Sequence, residues 1–130
     1  MINMNSRIAL FRLVALQLPE AVESAHMGHP DFRLNNRIFA TLSGQDKGCG
    51  VLKLTPEQQN AFVTDQPTIF SPVQGGWGRM GMTFLHLNEA DESIMAGALK
   101  TAYQNVKATQ STRKSTKRAK PAKTTRATLQ

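Results

Sequence analysis

His26 and His29 stand three residues apart, a spacing that on a helix would bring two imidazoles to one metal ion. Gly28 and Pro30 argue against a helix there, so the favoured reading is a motif histidine hydrogen-bonded to backbone in a tight turn, with no metal site. His86 falls in an expected strand with no second ligand type near it in sequence, and it reads as a surface or partly buried side chain. Cys49, flanked by Gly48 and Gly50, could expose a thiol, but activation needs a neighbouring base or cation and only Lys47 is near in sequence. No paired carboxylates recur in a pocket-like context; Asp91 and Glu92 fit the negative charge favoured at a helix start. The run Gly75-Gly76-Trp77-Gly78-Arg79-Met80-Gly81 has the glycine density of a phosphate cradle. It lacks the Gly-Lys-Ser/Thr ending and leads toward a strand, so it is not a P-loop. It reads as a turn with Trp77 as a packing anchor, or as a surface presenting Trp77 and Arg79 together to a ligand. These patterns point to no catalytic residue and no cofactor, and the expectation is a non-enzymatic binding protein.

Charge is the clearest chemical signal. Residues 1–106 carry 8 Lys or Arg against 9 Asp or Glu, a net −1, whereas residues 107–130 carry 8 against 0, a net +8. Arg113, Lys114, Lys117, Arg118, Lys120, Lys123 and Arg126 thus form a polycation without an acid, which is all that phosphate attraction requires. A solvated solubility tail or a cloning remnant is the bland alternative. An acidic membrane surface fits less well, because no apolar residues accompany the charges to insert. From Ala108 onward the chain is almost wholly Lys, Arg, Ser, Thr, Ala and Gln, with Leu129 its one large apolar residue. Such a segment buries too little apolar surface to offset chain ordering, so residues 107–130 are expected to be a disordered basic tail.

A chain of 130 residues fits one domain with a self-sufficient core. A single cysteine forms no internal disulfide, and unpaired thiols are ordinary in a reducing compartment. The first residues lack the charge, apolar block and cleavage site of a secretory signal, and no stretch approaches the roughly 20 apolar residues that cross a bilayer. A cytoplasmic protein with no membrane partner is expected.

The elements that must hold these residues follow from periodicity. Asn5 or Ser6 can cap a first helix whose Ile8, Phe11, Val14, Ala15 and Leu18 form one apolar stripe, ended by Pro19. Residues 20–30 have room for a further strand. Residues 31–34 and 37–43 read as a hairpin about Asn35 and Asn36, which tolerate the positive φ of a two-residue turn. A strand over 51–54 leads to a second helix, with Thr55 as cap, Pro56 at its first position and Gln58 completing a capping box. Residues 68–81 read as an ordered loop before a strand over 82–87. The last helix starts near Asp91, with Ile94, Ala98, Ala102 and Val106 stepping by four, and ends near Lys107. This order fits an α+β domain of two layers, an antiparallel sheet with its helices on one face. Alternation then places Phe32, Leu34, Leu52, Leu54, Leu85 and Leu87 toward the helices and Arg33, Lys53, Phe84 and His86 away, with Arg37 and Phe39 as further candidates for the open face. Basic groups interleaved with aromatics on an open sheet can hold a nucleic-acid strand; the same face could serve as a dimer contact.

Four motifs in order, Gly28-His29-Pro30-Asp31-Phe32-Arg33, Arg37-Ile38-Phe39-Ala40, Lys53-Leu54 and Trp77-Gly78-Arg79-Met80-Gly81, resemble the MmcQ/YjbR family over roughly residues 8–106. The resemblance implies the order α-β(3)-α-β(2)-α, similar to type III secretion chaperones and described as a double-wing DNA-binding architecture. Met27 and Met82 stand where relatives often carry aromatics, which weakens any scheme of base stacking at those two positions. The basic tail lies outside the family core. The combined expectation is a monomer or homodimer that binds nucleic acid, with DNA the favoured kind, through Arg33, Arg37, Lys53, Trp77, Arg79 and the tail. The alternative is a chaperone-like homodimeric interaction module with no nucleic-acid role.

Overall fold

The computed structural model describes residues 3–118, with residues 110–118 described by backbone alone. Asn3, rather than Asn5 or Ser6, caps α1 (Met4–Leu16) by accepting the Ser6 amide at 2.8 Å. The helix stops before Pro19 and buries Phe11, Val14 and Ala15. Strands β1 (Val22–His26) and β2 (His29–Leu34) turn about Met27 and Gly28, with φ of +53° and +82°. Strands β2 and β3 (Arg37–Thr41) turn about Asn35 and Asn36, at +52° and +70°. Positive φ at both central residues marks the tight hairpin turn whose twist suits antiparallel strands. After one 3₁₀ turn (Gln45–Lys47), β4 (Cys49–Lys53) leads into α2 (Pro56–Asp65). The expected capping box is complete: Thr55 Oγ1 accepts the Gln58 amide at 3.1 Å and Gln58 Oε1 accepts the Thr55 amide at 3.0 Å. Then follow β5 (Phe70–Pro72), the short α3 (Gly76–Arg79), β6 (Met82–His86) and α4 (Glu92–Arg118), whose start is capped by Asp91.

The six strands form one antiparallel sheet in the order β1-β2-β3-β4-β6-β5. The fold is α+β, and its α4 packs on β2, β3 and β4 while α2 packs on β5 and β6. All six apolar residues assigned to the helix face are buried, joined in the core by Phe11 of α1 and by Met95, Leu99, Ala102, Tyr103 and Val106 of α4. Four strands precede α2, one more than the order α-β(3)-α-β(2)-α. The extra strand β1 lies within the 20–30 stretch, and because all five of its residues are exposed no alternation marks it. A fourth helix, α3, and the strand β5 lie inside the segment read as a loop.

Two placements differ from the alternation argument. The pairing shifts between Phe32 and Arg33, so that Phe32 faces Ala40 but Arg33 faces Ile38, leaving Phe39 as the extra residue of a β-bulge. Phe39 is thereby fully buried, edge-on to Tyr103 at 5.6 Å between ring centres, and not on the open face. Arg37, opposite Leu34, turns toward the α4 side as well. The second difference is the length of α4. It runs to Arg118, past the end near Lys107 that composition suggests, because extending an anchored helix avoids the unfavourable nucleation step. The expected disorder of residues 119–130 lies outside the described residues. Phe39→Ala should cost about 3–5 kcal/mol in urea unfolding. Ile38→Ala, half-exposed on the open face, should cost less than half of that, and equal costs would mean the bulge does not divide the two side chains between the faces.

Candidate functional site

A groove of about 460 Å³ lies on the open sheet face, walled on one side by the β1–β2 hairpin tip (His26, Met27, His29) and on the other by Trp77 and Met80 of the α3 region. Its floor includes Asp31, Ile38, Thr41, Lys53 and Met82. Three wall residues are large, apolar and exposed: Met27 at 83%, Trp77 at 62% and Met80 at 74%. The size is that of a ligand site, and the apolar walls with a few polar groups match such sites in character.

Backbone constraints hold the α3 wall. A Cβ on Gly78 would collide with the Val73 carbonyl, and Gly81, at φ +110°, sits against the Leu54 carbonyl. Gln59 of α2 donates its side-chain amide to the carbonyls of Gly78 (2.9 Å) and Met82 (2.8 Å). The glycine run thus builds a one-turn helix that presents Trp77 outward. Trp77 is a groove wall and not the buried packing anchor that one reading of the run proposed.

The predicted basic residues separate. Arg33 lies on the open side but forks onto Asp31, with Nε to Oδ1 at 2.8 Å and Nη2 to Oδ2 at 3.0 Å. These hydrogen bonds hold the Arg33 pKa above its ordinary value against the effect of desolvation. Asp31 is only 1% exposed, so the arginine neutralises a buried carboxylate and its fork is occupied. Lys53 is exposed and lines the groove. It also lines a second cleft of about 210 Å³, with Arg37 and with Asn105, Val106 and Thr109 of α4. Leu54 and Met80, like Lys53, belong to both hollows, so the two adjoin. Asn105 fixes their junction by donating to the Lys53 carbonyl (3.1 Å) and pairing its amide with Gln58. Arg79 is exposed and lines neither hollow. Arg113, Lys114, Lys117 and Arg118 lie on the α4 backbone beyond the second cleft, while Lys120, Lys123 and Arg126 lie outside the described residues.

The two histidines meet by a different route from the helical one. They are cross-strand partners at the end of the β1–β2 hairpin, which puts them on one face of the sheet. Among the described residues, no group of three or more His, Cys, Asp and Glu is placed to hold a metal ion.

Sequence proximity missed one cluster altogether. Cys49 Sγ lies 3.4 Å from His86 Nδ1, and Ser71 Oγ lies 2.8 Å from the other ring nitrogen, Nε2. The base that Cys49 lacked along the chain therefore comes from β6, through the register that pairs Cys49 with His86. Burial pushes the thiol pKa up, with Lys47 opposing, so the neutral form prevails and the contact reads as hydrogen bonding within the sheet face. A neutral thiol is a poor nucleophile. Iodoacetamide at pH 8 should accordingly alkylate Cys49 more slowly in the native protein than in urea; equal rates would contradict the burial effect.

The sequence pattern described as YjbR matches residues 16–122, and the chain belongs to the YjbR family. The match reaches past Val106 into the basic segment that the motif resemblance had left outside. No curated protein matches. Among solved structures, the chain is similar to a Deinococcus radiodurans protein whose domain is described as DUF419, with 19% identity, a TM-score of 0.63, and coverage of 76% of this chain and 77% of that one. At that identity the likeness concerns the fold. Among the described residues, no helix is long and apolar enough to cross a membrane.

Proposed function

We propose that this protein is a non-enzymatic nucleic-acid-associating protein, in which the basic segment from Lys107 onward supplies affinity and the open face of the folded body supplies selectivity. The observation that carries the reading is the convergence of positive charge. Arg37 and Lys53 line the cleft against Asn105 and Thr109, and α4 continues from there through Arg113, Lys114, Lys117 and Arg118. Without the basic segment that begins at Lys107, the remaining charge, that of residues 1–106, is −1, which would repel a polyanion. Residues 107–118, carried on a helix, span about 18 Å along its axis, enough to follow several phosphates. DNA is the expected target.

A second reading has its own support. The exposed Met27, Trp77 and Met80 would also suit contact with another protein, including a second copy in a chaperone-like homodimer. Sedimentation equilibrium separates the two: a dimer whose formation protects these side chains, in a protein that binds no nucleic acid, favours the second.

Salt dependence tests the first. If all 8 charges of residues 107–130 meet phosphates, the slope of log K against log salt on duplex DNA approaches roughly −7, and partial engagement gives less. Deleting residues 107–130 should remove most binding at moderate salt and flatten the slope. The body should stay folded, since the last buried side chain described in α4 is Val106. Equal affinities and slopes for the full and shortened chains would rule out the basic segment as the source of affinity.

A further inference from the structure

We propose that the groove on the open sheet face holds an unpaired nucleobase of a single-stranded nucleic acid, stacked on Trp77, with the adjoining phosphates led across Lys53 toward Arg37 and α4. This rests on the nucleic-acid reading above and adds to it the kind of strand and the point of contact. The starting observation is that the two hollows differ in chemistry yet share a border. The groove has apolar walls, and its carboxylate, Asp31, is matched by the Arg33 fork at 2.8 and 3.0 Å. The second cleft carries Arg37, and Lys53 stands on the rim common to both.

A duplex fits this surface poorly. Its outside is phosphate and sugar, with the base faces stacked inside, so it could satisfy the cations but would leave Trp77 and Met80 facing a polar backbone. A single strand offers both chemistries at once, and in the same order: an unstacked base for the apolar groove, then phosphates for the cationic rim. Base recognition of this kind combines an aromatic platform with a basic track along the backbone. Trp77, 62% exposed and fixed by the one-turn α3, is such a platform, and Met80 flanks it. A groove of about 460 Å³ has room for a nucleobase. Thr41 and His29 line the same space and can meet the polar edge of the base, the part through which single strands are read. Stacking thus falls on Trp77, since the groove lining holds no Phe or Tyr and presents Met27 and Met82 instead.

Trp77 is the only tryptophan of the chain, so its fluorescence reports the contact directly. The full chain, Trp77→Ala, Trp77→Phe and Lys53→Glu would be titrated with a twelve-nucleotide oligothymidylate and with a duplex of equal length at one salt concentration. The oligothymidylate should quench Trp77. Trp77→Ala should weaken single-strand binding roughly 5- to 150-fold, the range for loss of one base stack, with Trp77→Phe losing less and duplex binding changing by under about twofold. Lys53→Glu should weaken single-strand binding while Trp77 still quenches at saturation. Absent quenching, or single-strand affinity unaffected by Trp77→Ala, overturns this inference. If the basic segment still governs binding in that case, the broader nucleic-acid reading survives. Binding of neither oligonucleotide removes both, and a dimer that shields Trp77 without nucleic acid would assign the groove to a second copy.

Discussion

Helix α4 lies across the central strands, and its Met95, Ala98, Leu99, Ala102, Tyr103 and Val106 are all buried there. That stripe recurs every three or four residues, so a single helix covers the apolar side of β2, β3 and β4. Burying such side chains removes them from water at a gain of about 1.5–3 kcal/mol for each large one, which makes this contact the anchor of the domain. Other elements are tied to it. Tyr103 donates its hydroxyl to the Pro19 carbonyl at 2.9 Å, fixing the end of α1, and Arg7 of α1 reaches back to the carbonyls of Leu87 and Ala90 at the entry to α4.

Two consequences for the surface follow from that packing. With one sheet face closed by helices, the groove must form on the other, and it is shaped by the hairpin tip and α3 at its sides. The bulge at Phe39 sends that ring into the core against Tyr103 and leaves Ile38 on the groove floor. Packing of Val106 also fixes where α4 leaves the sheet. Its cationic continuation therefore starts beside Arg37 and Lys53, so charges distant in sequence come to neighbouring places.

Charge and shape would act over different ranges in the function proposed. Phosphate attraction reaches about 8–10 Å at ordinary salt and needs little geometry. Stacking acts only at contact, so it depends on the groove keeping its form. The buried Asp31 with its Arg33 fork contributes to that form, since it places a satisfied pair on the groove floor. Membership of the YjbR family and the likeness to the Deinococcus radiodurans structure place the fold among known ones.

Local chemistry carried much of this protein. The Thr55 capping box, the Asn35–Asn36 turn, the Pro19 stop and the two-residue alternation of Phe32, Leu34, Leu52 and Leu54 each depend on a few neighbouring residues, and the sequence by itself determined them. So did the division of charge at Lys107 and, through four ordered motifs, the family. Tertiary structure alone decided three things. The bulge put Phe39 and Arg37 on the helix side, because an extra residue shifts the alternation and only strand pairing reveals it. Strand register brought His86 to Cys49, 37 positions away. The groove arose from two chain segments separated by about fifty residues, since a hollow belongs to the surfaces that meet around it and has no signal in either segment.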